Sequence, residues 1–133
     1  MSRKIILCFL LMWGVNWLSA EQEDGLQESM KRGEEVYSAN CASCHQAMGE
    51  GVEGAFPPLA KTNYLKDQRR AIDIILHGQE GEITVNGKKY NTPMIALGQL
   101  SDKEVADVLN YVSNSWGNKY PLVKPAQVKA QRK

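Results

Sequence analysis

Residues that usually hold metals or crosslinks are scarce: 133 positions carry three cysteines and two histidines. Cys8 lies in an apolar N-terminal stretch, which leaves Cys41, Cys44, His45 and His77 beyond it. A structural zinc site needs four protein ligands, and adjacent Cys44 and His45 are poorly placed to share one tetrahedral metal. A Cys41–Cys44 disulfide would close a very small loop and stabilise little. No βαβ pattern surrounds the pair, which argues against a thioredoxin-like redox couple. Long apolar runs are also missing. Ile5 to Leu18 falls short of the roughly 20 apolar residues that span a bilayer. There is no internal repeat. The part expected to fold has no basic face, which argues against nucleic-acid binding.

The short apolar run has another reading. Arg3 and Lys4 precede it, Gly14 and Asn16 alone interrupt it, and Leu18-Ser19-Ala20 ends in small residues before polar Glu21. This is the pattern of an export signal over residues 1–20, cut after Ala20. Removing it leaves 14 basic and 15 acidic residues, a formal charge of −1, in a length suited to one small domain. The charge is uneven. Lys124, Lys129, Arg132 and Lys133 follow Tyr120 with no acid among them. Residues 119–133 therefore read as a flexible basic tail after a domain over 21–118.

The scarce residues are concentrated in Cys41-Ala42-Ser43-Cys44-His45. Cys-x-x-Cys-His is the attachment signature of c-type haem. Both thiols can add across the vinyl groups of one macrocycle, and the histidine that follows can bind its iron. Haem c, one group covalently held, is the expected cofactor.

The rest of the chain reads as mostly helical. Gly25 to Ala39 has helical spacing, with Leu26, Met30, Val36 and Tyr37 as its main apolar positions. Gly49, Gly51 and Gly54, followed by Phe56-Pro57-Pro58-Leu59, mark a loop. Asp67 is placed to cap a helix reaching His77, with Ile72, Ile75 and Leu76 inward and Gly78 as its stop. Ile83 to Tyr90 around Asn86-Gly87 predicts a short hairpin. Ser101-x-x-Glu104 is a capping box opening a last helix to about Trp116.

With these elements in place, the chain resembles class I c-type cytochromes over about residues 27–118. The resemblance implies an all-α cytochrome c fold, three to four helices around the haem with a short β-hairpin. It implies close crossing of the first and last helices through Gly33 and Tyr37, with Val108 and Tyr111 opposite. It also implies that the Pro57 carbonyl accepts from His45 Nδ1 and that Leu59 packs on the haem. For the second axial ligand the residues leave Met30, Met48, Met94 and His77 open; the family position favours Met94 after Pro93. The implied function is periplasmic electron transfer by a monomeric carrier with His45 and Met94 on the iron, not catalysis. The implied partners are other redox proteins. Tyr111 to Asn118 and the hairpin resemble cytochrome domains associated with copper nitrite reductases, and a respiratory oxidase is a further expected partner. The alternative is a cytochrome subunit of a dehydrogenase or reductase complex. Export agrees with haem attachment outside the bacterial cytoplasm in this family.

Overall fold

The structure, a computed structural model, describes residues 25–132; the leader and its expected cut after Ala20 lie outside them. Helix α1 covers residues 25–40, and α2 is a short turn of helix at Ala42–His45. A 3-10 turn at Tyr64–Lys66 leads into α3, Gln68–His77. Strands β1, Ile83–Val85, and β2, Lys88–Tyr90, precede α4, Asp102–Ser113, and α5, Pro125–Lys129. This is the mostly helical architecture expected, with one helix, α5, beyond those anticipated.

Local chemistry sets the boundaries. The Asp67 side chain accepts from Arg70 N at 3.1 Å, satisfying a free amide at the start of α3. Gly78 ends α3 at φ 83°, a left-handed conformation that costs glycine little. Ser101 Oγ accepts from Glu104 N at 3.2 Å while Glu104 Oε2 accepts from Ser101 N at 2.8 Å, closing the capping box of α4. Asn86 and Gly87 both have positive φ, 50° and 78°, as a tight hairpin turn requires. The strands pair Ile83 with Tyr90 and Val85 with Lys88, and bury Val85 and Tyr90.

Helix α4 is the centre of the core: Val105, Ala106, Val108, Leu109 and Val112 are all buried. Where α1 meets it, Gly33 allows contact no other residue could. A Cβ there would lie 2.0 Å from the Asp107 carbonyl oxygen and 2.9 Å from Tyr111 Cβ. The buried stripe of α1 is Ser29, Gly33 and Tyr37, with Leu26, Met30 and Val36 only partly covered. Polarity explains the difference from the apolar reading. Ser29 Oγ donates to Asp107 Oδ1 at 2.6 Å, and Arg32 forks onto both carboxylate oxygens at 2.7 and 2.9 Å. Tyr111 packs on Tyr37 as expected, but the residue opposite Gly33 is Asp107, and Val108 faces an interior cavity.

The flexible tail expected over 119–133 needs correction through Arg132. Val123 and Val128 are buried to 2% and 0% exposure, and α5 packs on α4. Asn110, itself buried on α4, donates from Nδ2 to Val123 O at 2.9 Å and accepts from Val123 N at 2.7 Å. Tyr120 Oη donates to Thr62 O at 2.8 Å. The segment is a strap across the domain: Val123 and Val128, with partly buried Tyr120, supply its apolar contact, and a buried asparagine pairs its backbone.

Candidate functional site

The site is built where α1 gives way to α2. Cys41 N donates to Tyr37 O at 2.8 Å, and His45 N donates to Cys41 O at 2.9 Å. One turn thus carries Cys41, Cys44 and His45 onto the wall of a single cavity. Both thiols are unpaired. Burial and the neighbouring Cys44 push the Cys41 thiol up to about 11, so it is protonated at neutral pH.

The glycine-rich loop then folds back over His45. Leu59 N and Ala60 N both donate to Gly49 O, at 2.8 and 2.9 Å. Gly49 sits at φ 65° with the Trp116 ring so close that a Cβ would lie 2.4 Å from Cε3. That fold sets Pro57 O 2.9 Å from His45 Nδ1. A carbonyl only accepts, so Nδ1 carries the proton. Burial holds His45 below its ordinary pKa, against the smaller opposite pull of the Pro57 bond. The ring is then neutral with its lone pair on Nε2, the form that binds iron.

The segment after the hairpin forms another part of the cavity wall. Met94 is joined to Gln79 by a two-way backbone bridge: Gln79 N to Met94 O at 3.0 Å, Met94 N to Gln79 O at 2.9 Å. Leu97 N donates to Ile75 O at 2.8 Å. Gly78 is needed at this junction, because a Cβ would lie 2.7 Å from Met94 O. The cavity, about 250 Å³, is walled mainly by apolar side chains, among them Leu59, Leu65, Ile75, Val108 and Leu109.

Cys41, Cys44, His45, Pro57, Leu59 and Met94 all line this one cavity. The other candidate ligands do not. Met48 is 61% exposed, Met30 lies on α1 away from the cavity, and His77 pairs with Asp73 at 3.0 Å. Tyr64 and Tyr90 line the cavity as well. Asn118 has a part that sequence reasoning missed. It accepts from Thr62 N at 3.1 Å and donates to Leu59 O at 2.7 Å and Val112 O at 2.9 Å, fastening the Leu59 loop to α4. Its only sequence signal is a polar residue just after Gly117.

Two thiols, a neutral imidazole and a thioether around an apolar cavity are a donor set that fits covalently attached haem. The fold and this site define a c-type cytochrome. The chain belongs to the cytochrome c family, whose model matches residues 30–116. It is 39% identical over 121 residues to a Cytochrome c-552 of Thermus thermophilus, covering 87% of this chain and 74% of that protein. A second Thermus thermophilus Cytochrome c-552 is 44% identical over 91 residues, 65% of this chain and 69% of that one. The cytochrome c subunit of the quinone alcohol dehydrogenase of Gluconobacter oxydans is 35% identical over 91 residues, 67% of this chain but 19% of that subunit. The protein is a haem c electron carrier and not itself an enzyme. Among the described residues no helix is long and apolar enough to cross a membrane.

Proposed function

We propose that this cytochrome shuttles single electrons between redox proteins in the periplasm, with His45 and Met94 as its two axial ligands. Haem, when bound, supplies an iron that cycles between two oxidation states, and a thioether ligand favours the reduced one. The residues do the rest. Pro57 holds the imidazole in its ligating tautomer through Nδ1, and the Gln79 bridge fixes the backbone of Met94. The apolar walls exclude water, and His45 and Met94 together would hold the iron and keep oxygen from it. The observation that carries the reading is that Met94, alone of the four candidate ligands, lines the same cavity as the Cys41–His45 segment. Voltammetry of the haem-loaded protein tests it. One reversible one-electron couple is expected, and Met94→Ala should lower its potential by about 100 mV or more, of the order set by axial ligand changes. An unchanged potential removes Met94 from the iron.

Export rests on the leader pattern, and protein recovered outside the cytoplasm should begin at Glu21. Intact residues 1–20 would refute the cut. Ile95 lines the cavity and is 74% exposed, an uncharged contact point at its edge suited to brief encounters. A second reading makes the chain the electron-accepting part of a dehydrogenase assembly. It is supported by likeness to cytochrome subunits of alcohol, gluconate and fructose dehydrogenases. Native size-exclusion separates the two, because a free carrier elutes as a small monomer. For the free carrier, a respiratory oxidase or a copper nitrite reductase is the acceptor to assay first.

A further inference from the structure

The geometry points to Arg132, at the end of the C-terminal strap, as a positioning residue for Met94. It acts by clamping the loop that carries this residue. The inference rests on Met94 being an iron ligand.

The loop from Met94 to Ser101 is held unevenly. At its start the Gln79 bridge and the Leu97 N to Ile75 O bond tie it to the end of α3. Between them Ile95 is 74% exposed and Ala96 is exposed too. At its end only one local backbone bond closes the turn before α4, Leu100 N to Leu97 O at 3.0 Å. Leu97 and Leu100 anchor the turn in the core and the capping box holds Ser101; Arg132 adds bonds to the carbonyls of this turn. Its Nη1 donates to Gly98 O at 2.8 Å, its Nη2 donates to Leu100 O, and its Nε donates to Asp102 Oδ1 at 2.5 Å. One planar group thereby joins two loop carbonyls to the first residue of α4, a task suited to the rigid fork of a guanidinium. The strap that carries it is held independently by buried Val123 and Val128 and by Asn110. The clamp therefore pulls the Met94 loop toward a fixed frame.

For Met94 to leave the iron, this loop must swing out. A ligand competing with Met94 binds only the open form, so its apparent affinity scales with the open population. Removing charged hydrogen bonds from a closed loop raises that population by about tenfold, allowing for the partial exposure of both partners. The haem-loaded ferric protein is titrated with imidazole and followed by loss of the sulfur-to-iron band. Arg132→Ala should bind imidazole about tenfold more tightly than the native protein. Its Leu97 and Leu100 amides should exchange hydrogen faster. Ser29→Ala weakens the α1–α4 crossing, away from the loop, and should bind within twofold of native. Arg132→Ala binding within twofold of native would overturn the clamp. So would an equal gain in Ser29→Ala, which would trace the effect to general loosening. The two ideas fail separately. If the native protein has no sulfur-to-iron band, Met94 is not a ligand. If the band is present and Arg132→Ala behaves as native, only the clamp is wrong.

Discussion

Replacing Asn110 with alanine should release the C-terminal strap. The asparagine is 1% exposed and joins three parts of the chain. Its Nδ2 donates to Ser29 Oγ at 2.8 Å and to Val123 O at 2.9 Å, and its Oδ1 accepts from Val123 N at 2.7 Å. Three net hydrogen bonds are worth about 1 kcal/mol each. The Val123 amide would stay buried without a partner, at a cost of about 1–3 kcal/mol unless the strap lifts away to hydrate it. Lifting away would expose Val123 and Val128, each worth about 1.5–3 kcal/mol when buried. The first route sums to about 4–6 kcal/mol and the second to more, so the cheaper one sets the expected loss at about 4–6 kcal/mol, a large share of the roughly 5–15 kcal/mol typical of a small domain. Guanidinium unfolding of the haem-loaded protein, followed by circular dichroism, measures the loss. Hydrogen exchange at the Val123 amide shows whether the strap has opened. Asn110→Asp keeps the acceptor for Val123 N but turns an oxygen toward Val123 O and Ser29 Oγ in a buried site, and should lose at least as much as alanine. A loss under about 1 kcal/mol, with the Val123 amide exchanging freely in both the native protein and the variant, would refute the packed strap.

Two other perturbations test the helix crossing. Gly33→Ala places a methyl where the Asp107 carbonyl lies, so α1 and α4 must separate; a loss of about 3 kcal/mol or more is expected in thermal or denaturant unfolding, and near-native stability would show that the crossing is looser than described. Burial raises the Asp107 carboxyl, but hydrogen bonds from Arg32, Ser29 and Lys103 together outweigh it and hold the pKa below the ordinary 3.8. The unfolded chain therefore takes up this proton first as pH falls. The stabilisation is present above about 3.8 and is lost below it, through the folded pKa. Asp107→Asn should flatten that part of the stability–pH curve, and an unchanged slope would assign the acid loss to other carboxylates.

How much of this was legible in the sequence depends on how far apart the interacting residues lie. Caps, turns and the haem motif are short-range. Asp67 with Arg70, Ser101 with Glu104, and Asn86-Gly87 each declare themselves within a few residues, and the structure has those elements. The Cys41–His45 segment is of this kind too. Reaching Pro57 and Met94 took the likeness to a family, because nothing in composition says which proline carbonyl or which methionine folds onto which wall. The polar interior was hidden. Ser29, Asp107 and Asn110 read as ordinary polar positions on amphipathic helices, since a buried polar residue is identified only by its partners. The strap was hidden for the same reason. Two valines in a lysine-rich stretch have no clear period, and the asparagine that receives them lies far back in the chain.

The proposed electron-transfer chemistry depends above all on Met94 meeting the iron opposite His45. The absorption spectrum of the purified ferric protein tests this directly. A weak long-wavelength sulfur-to-iron band with low-spin iron is expected in the native protein, together with its complete loss in Met94→Ala. A native spectrum without that band, or one that survives Met94→Ala unchanged, would contradict the His45–Met94 site.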